Sequence, residues 1–221
     1  RLGAARIAAL VLSHPHLDHI GGAAAVLMEY PTQMLLEPGD AVADSVYLGL
    51  LDRVSAAGVE WRGVLGGDTL VVDSVRFTVL HPVTGWAERG LDLNEDSAVL
   101  RLEYGGCRVL FAGDAGFDAE AAIGVRAGRV DLLKVGHHGS RGASSNEWLE
   151  ELEPGAAVIS VGKRNRYGHP SPEALARLSA HGIPVWRTDQ DGSVTVQVHE
   201  QSLDITGRRG TIRVPCHSSD S

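Results

Sequence analysis

Apolar and polar positions fall into blocks of two kinds along this chain. Short apolar runs bounded by Gly, Pro, Asn or Asp predict strands, and longer stretches rich in Ala, Leu and Glu predict helices. "RIAALVLSH" predicts a buried strand, "GGAAAVLMEY" a helix closed by Pro31, and "TQMLLEPG" a second strand. "DAVADSVYLGLLDRVSAAG" predicts a helix ended by Gly58, and "VEWRGVLGGDTLVVDSVRFTVLHP" divides at its "GGD" and "DS" turns into two or three strands. In "SAVLRLEYGGCRVLFAGDA" alternation on both sides of Gly105-Gly106 predicts a hairpin. Downstream come a helix ("DAEAAIGVRAGR"), a strand ("DLLKVG") and a helix ("NEWLEEL") that Ser144, with Glu147 three residues on, is expected to cap. Strand "AAVISVG", helix "SPEALARLSAHG" with Pro172 in its first turn, strand "IPVWRT" and strand "SVTVQV" complete the series. The polar stretch from Arg208 reads as a frayed tail, so the expected organisation is one domain over residues 1–207 and a tail over 208–221. With no repeats and no low-complexity linker, the pattern predicts a single α/β domain of mixed sheets flanked by helices.

Composition narrows this picture. A chain of 221 residues, 43% hydrophobic, can bury a sizeable core as one domain. A net charge of -8 argues against holding nucleic acid by bulk electrostatics, leaving room for a local basic groove. Cys107 and Cys216 lie far apart without Cys-x-x-Cys spacing, so neither a disulfide scaffold nor a thiolate metal site is expected. No apolar run reaches ~18 residues, and no signal-peptide pattern is present. The chain starts at Arg1, directly before an apolar strand, and is read as part of a longer protein.

Histidine supplies the candidate chemistry. Seven of the ten histidines, His14, His16, His19, His81, His137, His138 and His169, fall in short motifs at the ends of expected strands. In "HPHLDH", His14 and His16 project from one side of an extended segment, and Asp18 and His19 open the next helix beside them. Four such ligands within six residues suffice for part of a two-metal site, and imidazole plus carboxylate without thiolate suits zinc, manganese or iron. "VLFAGDA" offers Asp114 at a strand end, where aspartate is more often a cap or turn former but here has two oxygens to bridge metals. In "LLKVGHHGS", adjacent side chains on an extended stretch point apart, so one of the two, taken as His137, is expected as a ligand and the other, His138, as facing substrate or a carboxylate behind the ligands. His169 in "NRYGHPSPE" is a catalytic candidate in a loop pinned by Gly and Pro; Asn94 and His81 are weaker ones. His181, His199 and His217 are expected at the surface.

Together, "HPHLDHIGG", "NEDSAVLRLEYGGCRVLFAGD", "DLLKVGHHGS" and "SVGKRNRYGHPSPEALARLSAHGIPVWRTDQDGSVTV" resemble the metallo-β-lactamase fold superfamily. Within it they most resemble the C-terminal hydrolase domain of the ComEC DNA-internalisation family, from about Ala8 to Val198. The resemblance implies an αβ/βα sandwich, two mixed β-sheets flanked by helices. It also implies two divalent metal ions, zinc or manganese, at His14, His16, Asp18, His19, Asp114 and His137, with Asp114 as the bridge. Two departures stand out. Where many members carry a further histidine ligand, this chain has Asn94-Glu95-Asp96-Ser97, so Asn94 or a water is expected in the gap. The "Asp-Val-Gly-Gln-Gly-Asp" strand that precedes the histidine motif in relatives is absent, which predicts an unpaired edge in the first sheet.

The implied activity is metal-dependent phosphodiester hydrolysis of DNA, with single-stranded DNA as partner and a membrane channel elsewhere in the same protein, on the extracytoplasmic side of a bacterial membrane. No small-molecule cofactor is expected. The catalytic candidates are Asp18, His138 and His169, with His138 or His169 stabilising or protonating the leaving side. Lys134, Ser140, Asn165 and Tyr167 are substrate-binding candidates, and Arg141, Lys163, Arg164 and Arg166 add cations to the same loops. Other substrates for the same chemistry are a phosphocholine ester, a lactone or a β-lactam. A catalytically silent DNA-binding domain is the reading outside enzymology.

Overall fold

The computed structural model describes residues 5–39, 42–86, 89 and 92–217. Strands β1 (Ile7–Val11), β2 (Thr32–Glu37) and β3 (Glu60–Gly63) form a parallel sheet, ordered β1-β2-β3. Helices α1 (Leu17–Ile20), α2 (Ala23–Glu29) and α3 (Ser45–Ala56) accompany it. Leu35 of β2 packs outward with Leu12, Ile20, Ala23, Tyr47, Leu50 and Val54 in one core. Asp44 caps α3 by accepting from the backbone N–H groups of Val46 and Tyr47.

A second sheet holds seven strands: β4 (Thr69–Val72), β5 (Val75–His81), β6 (Val99–Tyr104), β7 (Cys107–Phe111), β8 (Leu132–Lys134), β9 (Ala156–Ile159) and β10 (Val185–Arg187). Neighbours from β4 to β7 are antiparallel and those from β7 to β10 are parallel. The period of two along these strands assigns their faces. Val99, Leu110, Leu133, Ala157 and Ile159 meet helices α4 (Phe117–Ile123), α5 (Asn146–Leu152) and α6 (Pro172–Ala180) in the largest core. On the other face, Val79, Ala98 and Leu100 meet Leu36, Val11 and Ala9 of the first sheet. The order helices, sheet, sheet, helices is the expected sandwich. Strand β1 is outermost in its sheet among the described residues, and an apolar groove of about 600 Å³ opens between the sheets there, lined by Val11, Leu36, Phe77 and Val79.

The structure departs from expectation at the C-terminus. After the short helix α7 (Thr188–Asp191), strands β11 (Thr195–Val198), β12 (Ser202–Gly207) and β13 (Gly210–Pro215) form a third, antiparallel sheet. Where a frayed tail was expected from Arg208, β13 pairs with β12, and Val214 packs with Leu203, Ile205, Val109 and Trp186. Cys107 and Cys216 form a disulfide, against the expectation of none, and it fastens the end of β13 to β7. The expected cap Ser144 is displaced by one residue: Ser145 accepts from the backbone N–H of Trp148. Among the described residues no helix is long and apolar enough to cross a membrane.

Candidate metal centre

Four connections converge where strands end. The "SHPHLDH" loop leaves β1, Asn94 precedes β6, Gly113-Asp114 follows β7, and a tight 3-10 turn, Gly136–Gly139, follows β8. Because β7 and β8 are parallel neighbours, Asp114 and the His137-His138 pair emerge side by side. The first sheet is tied in by the Ala98 N–H, which donates to Ser13 O at 2.7 Å. Gly113 allows this closeness: its φ is +54°, and a Cβ there would lie 2.9 Å from that of Ser97 and 3.0 Å from that of Ser13.

The donors form two sets that share Asp114. In one, His14 Nε2 lies 3.0 Å from His16 Nδ1, which lies 3.1 Å from Asn94 Oδ1. In the other, His19 Nε2 lies 3.3 Å from His138 Nε2, and Asp18 Oδ2 lies 3.8 Å and 3.5 Å from these two nitrogens. Asp114 Oδ2 is 3.2 Å from His19 Nε2 and 3.5 Å from His138 Nε2, and one donor atom from each of His14, His19 and Asp114 falls within 4.8 Å of the others.

Hydrogen bonds behind the rings fix how they face. Ser160 O, which can only accept, lies 2.7 Å from His138 Nδ1, so that nitrogen carries a proton. In the neutral ring Nε2 then presents a lone pair to the cluster. His14 is neutral: burial, and next the charge of His19, push its pKa down to about 3. Its Nδ1 lies 3.1 Å from Ser13 Oγ and 3.2 Å from Ser97 Oγ, and Ser97 Oγ also accepts from the Asp114 backbone N–H. Burial alone would raise the Asp114 carboxyl. The hydrogen bond from His19 and the charges of Lys134, His19 and His138 outweigh it and hold the group well below the usual carboxylate range.

Asp114 Oδ1 is buried with no hydrogen-bond partner among the described residues. Imidazole nitrogens facing one another at 3.0–3.3 Å beside such an oxygen are what a divalent cation satisfies, and the donor set of nitrogen and oxygen fits that group.

The candidates separate on these distances. His14, His16, Asp18, His19, Asp114 and Asn94 are together. Of the histidine pair, His138 lies with Asp18 and His19, while the Nε2 of His137, the expected ligand, lies 3.9 Å from Asp114 Oδ2. The expectation assumed extended backbone, whereas both residues are left-handed, with φ of 45° and 52°, and the turn sends both rings toward Asp114. Each such conformation costs roughly 1–2 kcal/mol and persists because the surroundings over-determine it.

His169 lines a groove with Asp18 and His138, its ring 5.5 Å from that of His137. Lys134 bends back rather than lining that groove: its Nζ donates to Gly113 O at 2.8 Å and lies 3.9 Å from Asp114 Oδ1. Ser140 Oγ accepts from the Gly142 N–H within its own turn. Asn165, expected at substrate, spends its amide on the loop: Oδ1 accepts from the His169 N–H, and Nδ2 donates to His169 O and Gly162 O. Tyr167 is 81% exposed beside the groove. His81 is a packing histidine, buried edge-on to Trp86 with Nε2 donating to Glu95 O.

Sequence reasoning missed Ser97 and Glu95. The Glu95 carboxylate accepts from the N–H groups of Gly116 and Ala119, so the segment carrying Asn94 clamps the one carrying Asp114. Nothing in the residue types marks either role, which exists only once the loops meet.

The family model of the metallo-β-lactamase superfamily matches residues 1–163. The chain is 36% identical over 197 residues to ComE operon protein 3 of Bacillus subtilis, covering 87% of this chain and 25% of that protein. It is 32% identical over 199 residues to competence protein ComA of Neisseria gonorrhoeae, again 87% of this chain and 25% of the relative. The chain thus spans about a quarter of the length of these relatives. Among solved structures, the diiron β-hydroxylase CmlA from Streptomyces venezuelae superposes with a TM-score of 0.59 at 17% identity, over 83% of this chain and 44% of that one, a likeness of fold. With its model match over most of the chain and its strand-end histidines and Asp114 in one cluster, the chain belongs to the metallo-β-lactamase superfamily.

Proposed function

We propose that this domain is a metal-dependent phosphodiesterase that cuts DNA. The observation that carries the reading is the pair of donor sets sharing Asp114, set beside a loop bearing Lys163, Arg164 and Arg166 on a chain whose net charge is -8. His14, His16 and Asn94 would hold one divalent cation, Asp18, His19 and His138 the other, and Asp114 both. Zinc or manganese there would lower the pKa of water toward neutrality and neutralise phosphate charge. The chain's own residues do the rest. Ser97, Ser13 and Ser160 O orient the imidazoles. Lys134 holds the Asp114 loop, and His169, whose pKa is lowered by burial and then by His137, is neutral and lines the groove with Asp18 and His138, where it would accept a proton.

A relative named as a competence protein supports a DNA substrate, and relatives of which this chain spans a quarter leave room for a membrane channel elsewhere in the protein. A disulfide closing a loop 109 residues long is the kind that persists in an oxidising compartment, which supports the extracytoplasmic side.

The test is to supply the purified domain with Mn²⁺ or Zn²⁺ and present DNA, a phosphocholine ester and a chromogenic β-lactam. DNA cleavage that EDTA and Asp114→Ala both abolish is expected. DNA left intact under every metal condition while another substrate is turned over would overturn the assignment.

A further inference from the structure

We infer that Tyr167, stacked on His169, forms a nucleobase-stacking subsite that makes the groove selective for single-stranded polynucleotide. This rests on the phosphodiesterase reading for its substrate class but not for turnover.

Tyr167 and His169 have ring planes 18° apart with centroids separated by 5.8 Å. His169 in turn meets His137 edge-on, so a stair of rings descends from solvent to Asp114. At 81% exposure most of the tyrosine surface is bare, an unusual position for a large aromatic side chain that is held in place. It is held because Asn165 closes the loop with three hydrogen bonds to backbone, so the platform is preorganised. The same loop carries Lys163, Arg164 and Arg166, all exposed, and none of them forms an ion pair with a described residue. The groove of about 400 Å³ beneath runs from Tyr167 past His169 to Asp18 and His138.

An aromatic face among cations along a groove is the arrangement that binds single strands. The cations follow the phosphates, and the ring accepts any base because every base has a π-face. In a duplex both faces of each internal base are already stacked, so the platform has nothing to receive. The subsite therefore predicts sequence tolerance with strand selectivity, and it places the nucleotide beside the stacked base over the donor cluster.

The experiment uses the wild-type domain, Tyr167→Ala and Tyr167→Phe, all expected to fold because the side chain is exposed. Probes are a single-stranded oligodeoxynucleotide containing 2-aminopurine, the same strand in a duplex, and a strand with abasic residues. Binding is read by anisotropy and 2-aminopurine quenching, in Ca²⁺ and again in EDTA. Wild type and Tyr167→Phe should bind the single strand with quenching. Tyr167→Ala should bind it about 10-fold more weakly without quenching, a loss of the size that one stacked base supplies. The abasic strand should bind wild type as weakly as the normal strand binds Tyr167→Ala, and duplex binding should not respond to the substitution. Unchanged binding and quenching in Tyr167→Ala, an equal loss on duplex and single strand, or no binding of the single strand by wild type would each overturn the subsite. Base-dependent binding without cleavage in Mn²⁺ or Zn²⁺ would leave the subsite standing and remove the nuclease reading.

Discussion

His19 and His138, one from the loop after β1 and the other from the turn after β8, meet through their Nε2 atoms at 3.3 Å, while Ser160 O fixes the far side of the His138 ring. Two imidazole nitrogens so close to each other and to Asp114 Oδ2 can share a proton or hold a divalent cation. His138→Ala should therefore lose one of two bound metals, with affinity at that position falling 10–100-fold or more. His137→Ala should keep both, losing rate instead. Metal content after dialysis and calorimetric titration check this, and equal metal loss in both variants would make His137 a ligand too.

Asn94 Oδ1 faces His16 where a third imidazole would complete a set of nitrogens. An amide oxygen is a harder donor than imidazole, which tilts that position from zinc toward manganese. Asn94→His is expected to tighten zinc relative to manganese by about 10-fold, read by competition between the two ions in equilibrium dialysis. An unchanged ratio would show that Asn94 is no ligand.

Ser97 Oγ touches both His14 Nδ1 and the Asp114 N–H. Ser97→Ala leaves that buried N–H without its acceptor, a loss of about 1–3 kcal/mol in urea unfolding. Metal affinity should fall roughly 10-fold, because the hydroxyl that orients the His14 ring is lost and the loop that carries Asp114 slackens. Ser97→Thr, which retains the hydroxyl, should recover part of the affinity if it fits.

Much of this site was legible in the chain and part of it was not, for physical reasons. Strands β1, β7 and β8 are apolar runs closed by motif residues, so the placement of His14, His16 and Asp114 at strand ends follows from patterning alone. The β6–β7 hairpin follows from Gly105-Gly106 between alternating arms. The roles of His137 and His138 do not, because they depend on two consecutive left-handed residues that no propensity favours. Strand β13 was missed because it is short and mostly exposed, set among polar neighbours; it exists through pairing with β12 and burial of Val214. The disulfide has no spacing signature, since its cysteines meet only after the third sheet folds onto β7.

Glu120 gives the fold a pH dependence of its own. Its carboxylate accepts from the N–H groups of Ser144 and Ser145, yet burial outweighs them and raises the pKa from 4.5 to about 7. The folded state therefore keeps a proton that the unfolded chain has lost. The stabilisation is fully present below about pH 4.5, declines as pH rises and is gone above about 7, a span of up to about 3 kcal/mol. Buried His14 and His81, whose pKa values are lowered, oppose this trend between pH 8 and pH 5, so the Glu120 share is read as the difference in pH dependence between wild type and Glu120→Gln in urea unfolding at the two pH values. The same pH slope in both would exclude Glu120 as its source.

The bond between Cys107 and Cys216 divides the molecule into a covalent ring and a free arm. Asp114, His138, His169 and Tyr167 all belong to the ring, while His14, His16, Asp18, His19 and Asn94 belong to the segment that packs against it. A single backbone cut inside the ring leaves its two pieces covalently joined, and a cut between His19 and Cys107 leaves the histidine motif held by packing and strand pairing alone. Damage to one half of the centre is thus survivable in a way that damage to the other is not, and a reducing agent erases the distinction.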